Sequence, residues 1–187
     1  MHWVAVKRIM RYLKGTCANI VLSGYCDGDY AGDTNDRRST TGYMFKVGSG
    51  AVSWTKKRQQ TMATSTVEAE YMATSHCTKE AIWLRQLMAD VRCTQHDATT
   101  IMCDNQGSIS LAKNPTHHSR TKHIDVQYHF IREKLEMKVI ELKYCPTKHM
   151  VADVLTKALA RDRHQRLIAA FGLKGFGYSQ SESVEVG

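Results

Sequence analysis

Four carboxylates in this 187-residue chain stand where they could share one ligand: Asp27, Glu70, Asp104 and Asp153. Asp27 and Asp104 each close a run of strand-forming residues, "NIVLSGYCD" and "TTIMCD". Glu70 and Asp153 each fall in the first turns of an expected helix. Ligand sites in α/β sheets gather where strands end and loops open. One acid at each of two neighbouring strand ends sets negative charges side by side. That arrangement is costly unless a cation neutralises it, and hard oxygen donors suit Mg2+. Two such ions about 4 Å apart bridge a phosphate, activating water on one side and steadying the leaving oxygen on the other.

Each residue also has a plainer role open to it. Glu70 alone fits an exposed helix position, Asp104 alone a helix cap, and Asp153 alone a first-turn acid favoured by the helix dipole. Within "GYCDGDYAGDTNDRRSTTGY", Asp29, Asp33 and Asp36 have the type and spacing of turn residues. Asp29, two residues beyond Asp27, is the hardest of these three to set aside. Glu68 reads as a capping partner: Ser65-Thr66-Val67-Glu68 has the form of a capping box, with Ser65 as the cap and Glu68 bonding back to it. Composition and spacing leave both readings of the four acids open.

The elements that must position these groups follow from local pattern. Residues 3–13 read as a helix closed by Gly15. The run ending at Asp27 is a strand, and "TGYMFKV" with "AVSWTKK" forms a hairpin turning on "GSG" at 48–50. Ala69, Met72, Ala73, Cys77, Ala81, Leu84, Leu87 and Met88 recur at helical steps and predict a long helix after Ser65. The strand ending at Asp104 follows, then a helix from Asn105 to about 113. The helix "DVQYHFIREKLEM", the strand "VIELKYCP" and closing helices over "MVADVLTKAL" and "RDRHQRLIAAF" complete the order. Residues 173–187 read as a loose tail. This βββ-α-β-α-α-β-α order implies a mixed five-stranded α/β sheet, three strands antiparallel and two added through helical crossovers.

Apolar residues make up 42% of the chain and charged ones 24%, ordinary for a globular domain of this length. No run of apolar residues is long enough to span a bilayer, so no membrane role is expected. The basic, amphipathic start fits a transit peptide less well than a helix of the domain. Six cysteines lie far apart without a C-x-x-C pair, which reads as buried thiols in a reducing, intracellular compartment, cytoplasmic or nuclear. A formal net charge of +8, with lysines and arginines at 56–58, 119–123 and 161–166, fits a polyanionic partner, nucleic acid first.

"GYCDGDYAGD…DRRSTTGYMF", "AVSWTKKRQQT…STVEAEYMA", "CDNQGSISLAKNP", "HHSRTKHIDVQYHFIRE" and "VADVLTKAL" resemble, in order, the ribonuclease H region of copia-type retrotransposon polyproteins. "HWVAVKRIMRYLKGT" resembles the end of the reverse transcriptase region upstream. The resemblance divides the chain into a polymerase-derived helix (1–16), a ribonuclease H-like domain (17–172) and a tail (173–187). It implies a ribonuclease H-like fold and cleavage of the RNA strand of an RNA–DNA hybrid with two Mg2+ ions, Mn2+ standing in. Carried over by motif, Asp27, Glu70, Asp104 and Asp153 are the catalytic, metal-holding acids. Asp27 would bridge both ions, Glu70 and Asp104 serving one and Asp153 the other. Gly28, Tyr30 and Ala158 depart from the commoner alanine, tryptophan and proline, and none is a carboxylate. His149, only four residues before Asp153, fits a histidine at a helix start as well as a product-release role.

Reading RNA also requires contacts to 2′-hydroxyls, for which Asn105, Ser65 and Thr66 flank the site, though as helix caps they need no such role. Lys56, Lys57 and Arg58 are expected to hold the DNA strand through its phosphates. The expected partners are the hybrid and a reverse transcriptase region supplied by a longer polyprotein. The competing reading is a truncated or domesticated remnant that only binds nucleic acid. An integrase-like transposase of the same fold needs its glutamate after two aspartates; here Glu70 lies between Asp27 and Asp104.

Overall fold

β1 (Leu22–Asp29) buries alternate residues at its start, then Cys26, Asp27 and Gly28 in succession, because helices close over both faces at that end. The structure is a computed structural model that describes residues 20–114 and 122–172. β2 (Thr40–Val47) and β3 (Gly50–Arg58) continue antiparallel from β1, joined by a tight turn in which Gly48 takes φ +62. Left-handed backbone of that kind favours glycine. β4 (Thr99–Cys103) and β5 (Ile140–Tyr144) add parallel on the other side of β1, giving the order β3-β2-β1-β4-β5. Parallel neighbours require crossovers. α1 (Thr66–Asp90) supplies the first; α2 (Gln106–Lys113) and α3 (Lys122–Glu136) supply the second.

α1 packs on β1 and β2, with Ala69, Met72, Ala73, Cys77, Ala81, Leu84 and Met88 buried. Leu87, expected on that face, is 43% exposed. The main core lies between this helix, α3 and the sheet, where Leu22, Phe45, Tyr71, Ile101, Ile131 and Ile140 are almost wholly buried. Tyr71 stacks on Tyr128 with ring centroids 4.1 Å apart, tying α1 to α3. A smaller cluster of Met44, Val151 and Phe171 fills the opposite face beneath α5 (Arg161–Phe171). There Trp54 meets Phe171 edge to face at 6.0 Å.

Three further expectations need correction. Ser65 Oγ accepts from the Glu68 N–H as a cap should, but Glu68 turns its carboxylate to the N–H and hydroxyl of Thr64 rather than to Ser65. Thr64 gives the carboxylate two donors at once, its backbone N–H and its hydroxyl. The helix expected over "MVADVLTKAL" is a single turn, α4 (Asp153–Thr156), preceded by a 3-10 turn at Thr147–His149. Met150, Val151 and Ala152 are buried by packing against two separate clusters and not by a helical stripe. Cys93 is disulfide-bonded, so the cysteines are not all thiols; Cys26, Cys77, Cys103 and Cys145 are free and buried. The helix expected at 3–13 and the tail at 173–187 fall outside the described residues. Among the described residues, no helix is long and apolar enough to cross a membrane.

Candidate active site

Strand register brings the first two acids together. Cys26 and Cys103 are partners on the parallel strands β1 and β4, and Asp27 and Asp104 are the next residue of each. Side chains alternate along a strand, so both aspartates leave the face opposite the thiols. The thiols themselves meet at 3.2 Å, with the Thr74 hydroxyl 3.5 Å from Cys26. α4 then lays Asp153 over the aspartate face. Asp27, Asp104 and Asp153 each offer a carboxylate oxygen, and these oxygens lie within 4.8 Å of one another. Asp27 and Asp153 are fully buried.

Three negative charges at that spacing repel. Two unit charges 4 Å apart interact by about 4 kcal/mol at an effective dielectric of 20, so a cation is needed. Lys157 provides one. Its ammonium donates to Asp27 Oδ1 at 2.8 Å and Asp153 Oδ1 at 2.7 Å and lies 4.0 Å from Asp104 Oδ2. Burial pulls the Lys157 ammonium down, but Asp27 and Asp153 more than offset it and hold it well above its usual range. Arg163 pairs with the other Asp153 oxygen and also donates to the Thr147 carbonyl at 2.7 Å. Even so, burial, helped by Asp27, pushes the Asp153 carboxyl up to about 6. The Thr156 hydroxyl donates to Asp27 Oδ2, and the Thr147 hydroxyl to Asp104 Oδ2 at 3.1 Å.

Glu70 reaches the same end of β1 from the other face of the sheet. Its Oε2 accepts from the Gly28 N–H at 3.0 Å. The helix comes this close because residue 28 lacks a side chain: a Cβ there would sit 2.6 Å from the Ala69 carbonyl oxygen. Burial, then the charges of Asp27, Cys26 and Asp104, push the Glu70 carboxyl up to about 10. Glu70 therefore feels the cluster but stands outside the tight trio. The donor set is all hard oxygen and already seats an ammonium, so it fits divalent cations such as Mg2+.

The expected substrate contacts separate. Ser65 and Asn105 are the N-caps of α1 and α2, accepting from Glu68 N–H at 3.2 Å and Ser108 N–H at 2.9 Å, and Thr66 is the exposed first residue of α1. Lys56, Lys57 and Arg58 are exposed on β3. Lys56 is in register with Gly42 and, through it, with Asp27, and so shares the face of the aspartates. Lys57 shares the opposite face, where it lines a pocket of about 210 Å3 with Thr41, Gln59 and His76. Arg58 is paired with Asp33 and Asp36 at 3.3 and 3.0 Å. Those two aspartates also make local turn bonds, as their type suggested. His149 is exposed in the 3-10 turn.

Sequence reasoning overlooked Lys157, Arg163, Thr156 and Thr147. Lys157 had a signal: it stands four residues after Asp153, the spacing of a helical ion pair. Arg163 lies within "RDRHQR", a run assigned to polyanion binding, yet it serves Asp153 inside the protein.

No protein-family model matches the chain. The retrovirus-related Pol polyprotein from transposon TNT 1-94 of Nicotiana tabacum is 42% identical over 172 residues, covering 88% of this chain and 13% of that protein. The corresponding polyprotein from transposon RE2 of Arabidopsis thaliana is 36% identical over 181 residues, 92% of this chain and 12% of that one. The chain thus spans about an eighth of the length of these relatives. Among solved structures, the N-terminal RNase H domain of Rv2228c from Mycobacterium tuberculosis aligns with a TM-score of 0.52 at 14% identity, over 81% of this chain and 99% of that one. LC11-RNase H1 in complex with RNA/DNA hybrid aligns with a TM-score of 0.52 at 13% identity, over 72% and 93%. The protease-reverse transcriptase of prototype foamy virus gives 0.52 at 13% identity, over 84% of this chain and 21% of that one.

Proposed function

From the premise that this chain is the counterpart of the ribonuclease H region of copia-type retrotransposon Pol polyproteins, with a ribonuclease H-like fold, we propose that it is a metal-dependent endonuclease cutting the RNA strand of RNA–DNA hybrids during reverse transcription. The observation that carries this reading is the meeting of Asp27, Asp104 and Asp153 within 4.8 Å at the ends of β1 and β4. A fold serves many activities, and it is this trio that would give the chain its chemistry.

Asp27, Asp104 and Asp153 would hold divalent cations, with Glu70 completing the set. Two Mg2+ ions, or Mn2+ in their place, supply when bound an activated water and the positive charge that the pentavalent phosphate needs. The chain's own groups pre-set the acids: the Thr156 and Thr147 hydroxyls orient Asp27 and Asp104, Arg163 fixes one oxygen of Asp153, and the Gly28 N–H anchors Glu70. Such supporting bonds cut the reorganisation needed at the moment of reaction. Selection of RNA falls to groups that reach 2′-hydroxyls, for which Asn105, Ser65 and Thr66 remain our candidates. Lys56, Lys57 and Arg58 are assigned to phosphates of the DNA strand, Lys56 with the most favourable position. The polymerase region of a longer polyprotein is the partner we assign, because the relatives are many times longer than this chain.

The test is cleavage of a hybrid labelled on its RNA strand. The wild-type chain with Mg2+ should cut it, and Asp27→Asn or Asp104→Asn should reduce the rate by roughly a thousandfold or more, while each variant still binds the hybrid. Binding without cleavage by the wild-type chain in both Mg2+ and Mn2+ would replace the nuclease with the nucleic-acid-binding remnant. Absence of hybrid binding would remove both readings.

A further inference from the structure

Lys157 is the one described cation seated inside the aspartate trio, and nothing in the proposed chemistry uses it. Its ammonium takes one oxygen from each of the two fully buried acids, Asp27 Oδ1 at 2.8 Å and Asp153 Oδ1 at 2.7 Å. At 4.0 Å from Asp104 Oδ2 it also faces the third. It is thus central to the cluster rather than at its rim. The backbone helps to seat it: the Lys157 N–H donates to the Asp153 carbonyl at 2.9 Å, closing the single turn of α4. There the chain leaves helical geometry, with φ −117 and ψ 148 at Lys157. The lysine root is therefore fixed, while its four-carbon stem is free to turn, and the side chain keeps 30% of its surface in solvent.

We infer that Lys157 is a built-in, displaceable counter-ion: it holds the carboxylates together before metal arrives, and the first divalent cation must expel its ammonium. This inference rests on the metal-site reading above. A divalent cation sits about 2.1 Å from carboxylate oxygens, whereas the ammonium hydrogen-bonds the same oxygens from just under 3 Å. An ion and an ammonium sharing those Asp27 and Asp153 oxygens would be like charges only a few ångströms apart in a largely buried site. Each weakens the hold of the other, so the lysine must give way for the ion to bind tightly. Metal affinity then reflects a competition, and the lysine also spares the metal-free protein the repulsion of three clustered acids. Arg163 cannot take over the seat, because it is committed to the outer Asp153 oxygen and the Thr147 carbonyl.

The experiment titrates Mg2+ calorimetrically into the 187-residue chain and its Lys157→Met variant, and melts both with and without the ion. The variant should bind Mg2+ roughly tenfold or more tightly, the size expected when one neighbouring unit charge is removed from a carboxylate site. Without metal it should melt below wild type, and saturating Mg2+ should close the gap. A second measurement needs no stable variant: in wild-type protein labelled with 15N at lysine Nζ, one ammonium should be protected from hydrogen exchange without metal and lose that protection when Mg2+ binds. Equal affinity in both chains, or a protected ammonium that persists at saturating Mg2+, overturns the role of Lys157 and leaves the nuclease reading intact. If neither chain binds Mg2+, the nuclease reading falls together with it, whereas loss of binding in the variant alone overturns only the role of Lys157.

Discussion

Asp27 and Gly42 face each other across the antiparallel rung of β1 and β2, and the empty side of Gly42 is where Thr156 sits. A Cβ at residue 42 would lie 2.5 Å from Thr156 Cγ2 and 3.2 Å from Leu155 Cβ. Glycine at this rung lets α4 settle onto the sheet, and through α4 it positions both Thr156 on Asp27 and Asp153 beside it. Gly42→Ala is therefore expected to lift α4. The cost should be about 1–3 kcal/mol of stability, as for other overpacking changes. Mg2+ affinity and hybrid cleavage should fall together, with hybrid binding kept. A variant that melts lower yet binds Mg2+ as tightly as wild type would show that α4 does not set the cluster.

Glu70 makes metal-free stability depend on pH in a direction opposite to that of most carboxylates. Its carboxyl is raised from 4.5 to about 10, by burial first and by Asp27 next. Across that window the folded chain keeps a proton that the unfolded chain releases, so the contribution of Glu70 to stability is fully present below 4.5 and declines as pH climbs toward about 10. Its part of the slope is at most about 1.4 kcal/mol per pH unit. In chelator, wild-type protein should lose more melting temperature between pH 6 and pH 8 than Glu70→Gln, whose amide oxygen can still accept from the Gly28 N–H. Identical slopes in the two proteins would mean that Glu70 is ionised throughout.

The three basic residues at the end of β3 should contribute unequally to hybrid affinity. Lys56 shares the aspartate face, Lys57 the opposite one, and Arg58 is already paired with Asp33 and Asp36. In binding isotherms taken over a range of salt, Lys56→Ala should flatten the dependence of log affinity on log salt by about one unit. Arg58→Ala should change it least, since breaking its pairs also releases two carboxylates. A larger effect at Arg58 than at Lys56 would put the nucleic acid on another face.

Much of this site was legible because its parts are local. Asp27 and Asp104 announce themselves as the polar ends of apolar strands, and of the α1 residues that its period sets against the sheet, all but Leu87, near the helix end, are buried. What escaped is what depends on distance in space. The charge of Arg163 gives no sign of pairing with Asp153 rather than with a phosphate, since the same guanidinium suits either anion. The apolar run at 150–152 reads as helix by content, yet those residues are buried in two clusters around an irregular segment, where packing overrides period. Glu70 was grouped with the others by resemblance alone; in the fold it approaches from the far face of the sheet, anchored on Gly28 and outside the trio.

β3 is the last strand in the sheet order, so its outer backbone edge has no strand beyond it among the described residues. An open edge of this kind invites a second molecule to add a strand and begin an aggregate, and Val52 and Trp54, both about half exposed, would make the edge adhesive. Lys56, Lys57 and Arg58 occupy its final three positions and repel an identical edge in any alignment that brings them together. Neutralising all three to probe nucleic-acid contact would thus strip the sheet of its solubility guard, and light scattering belongs beside every binding curve measured on such a variant.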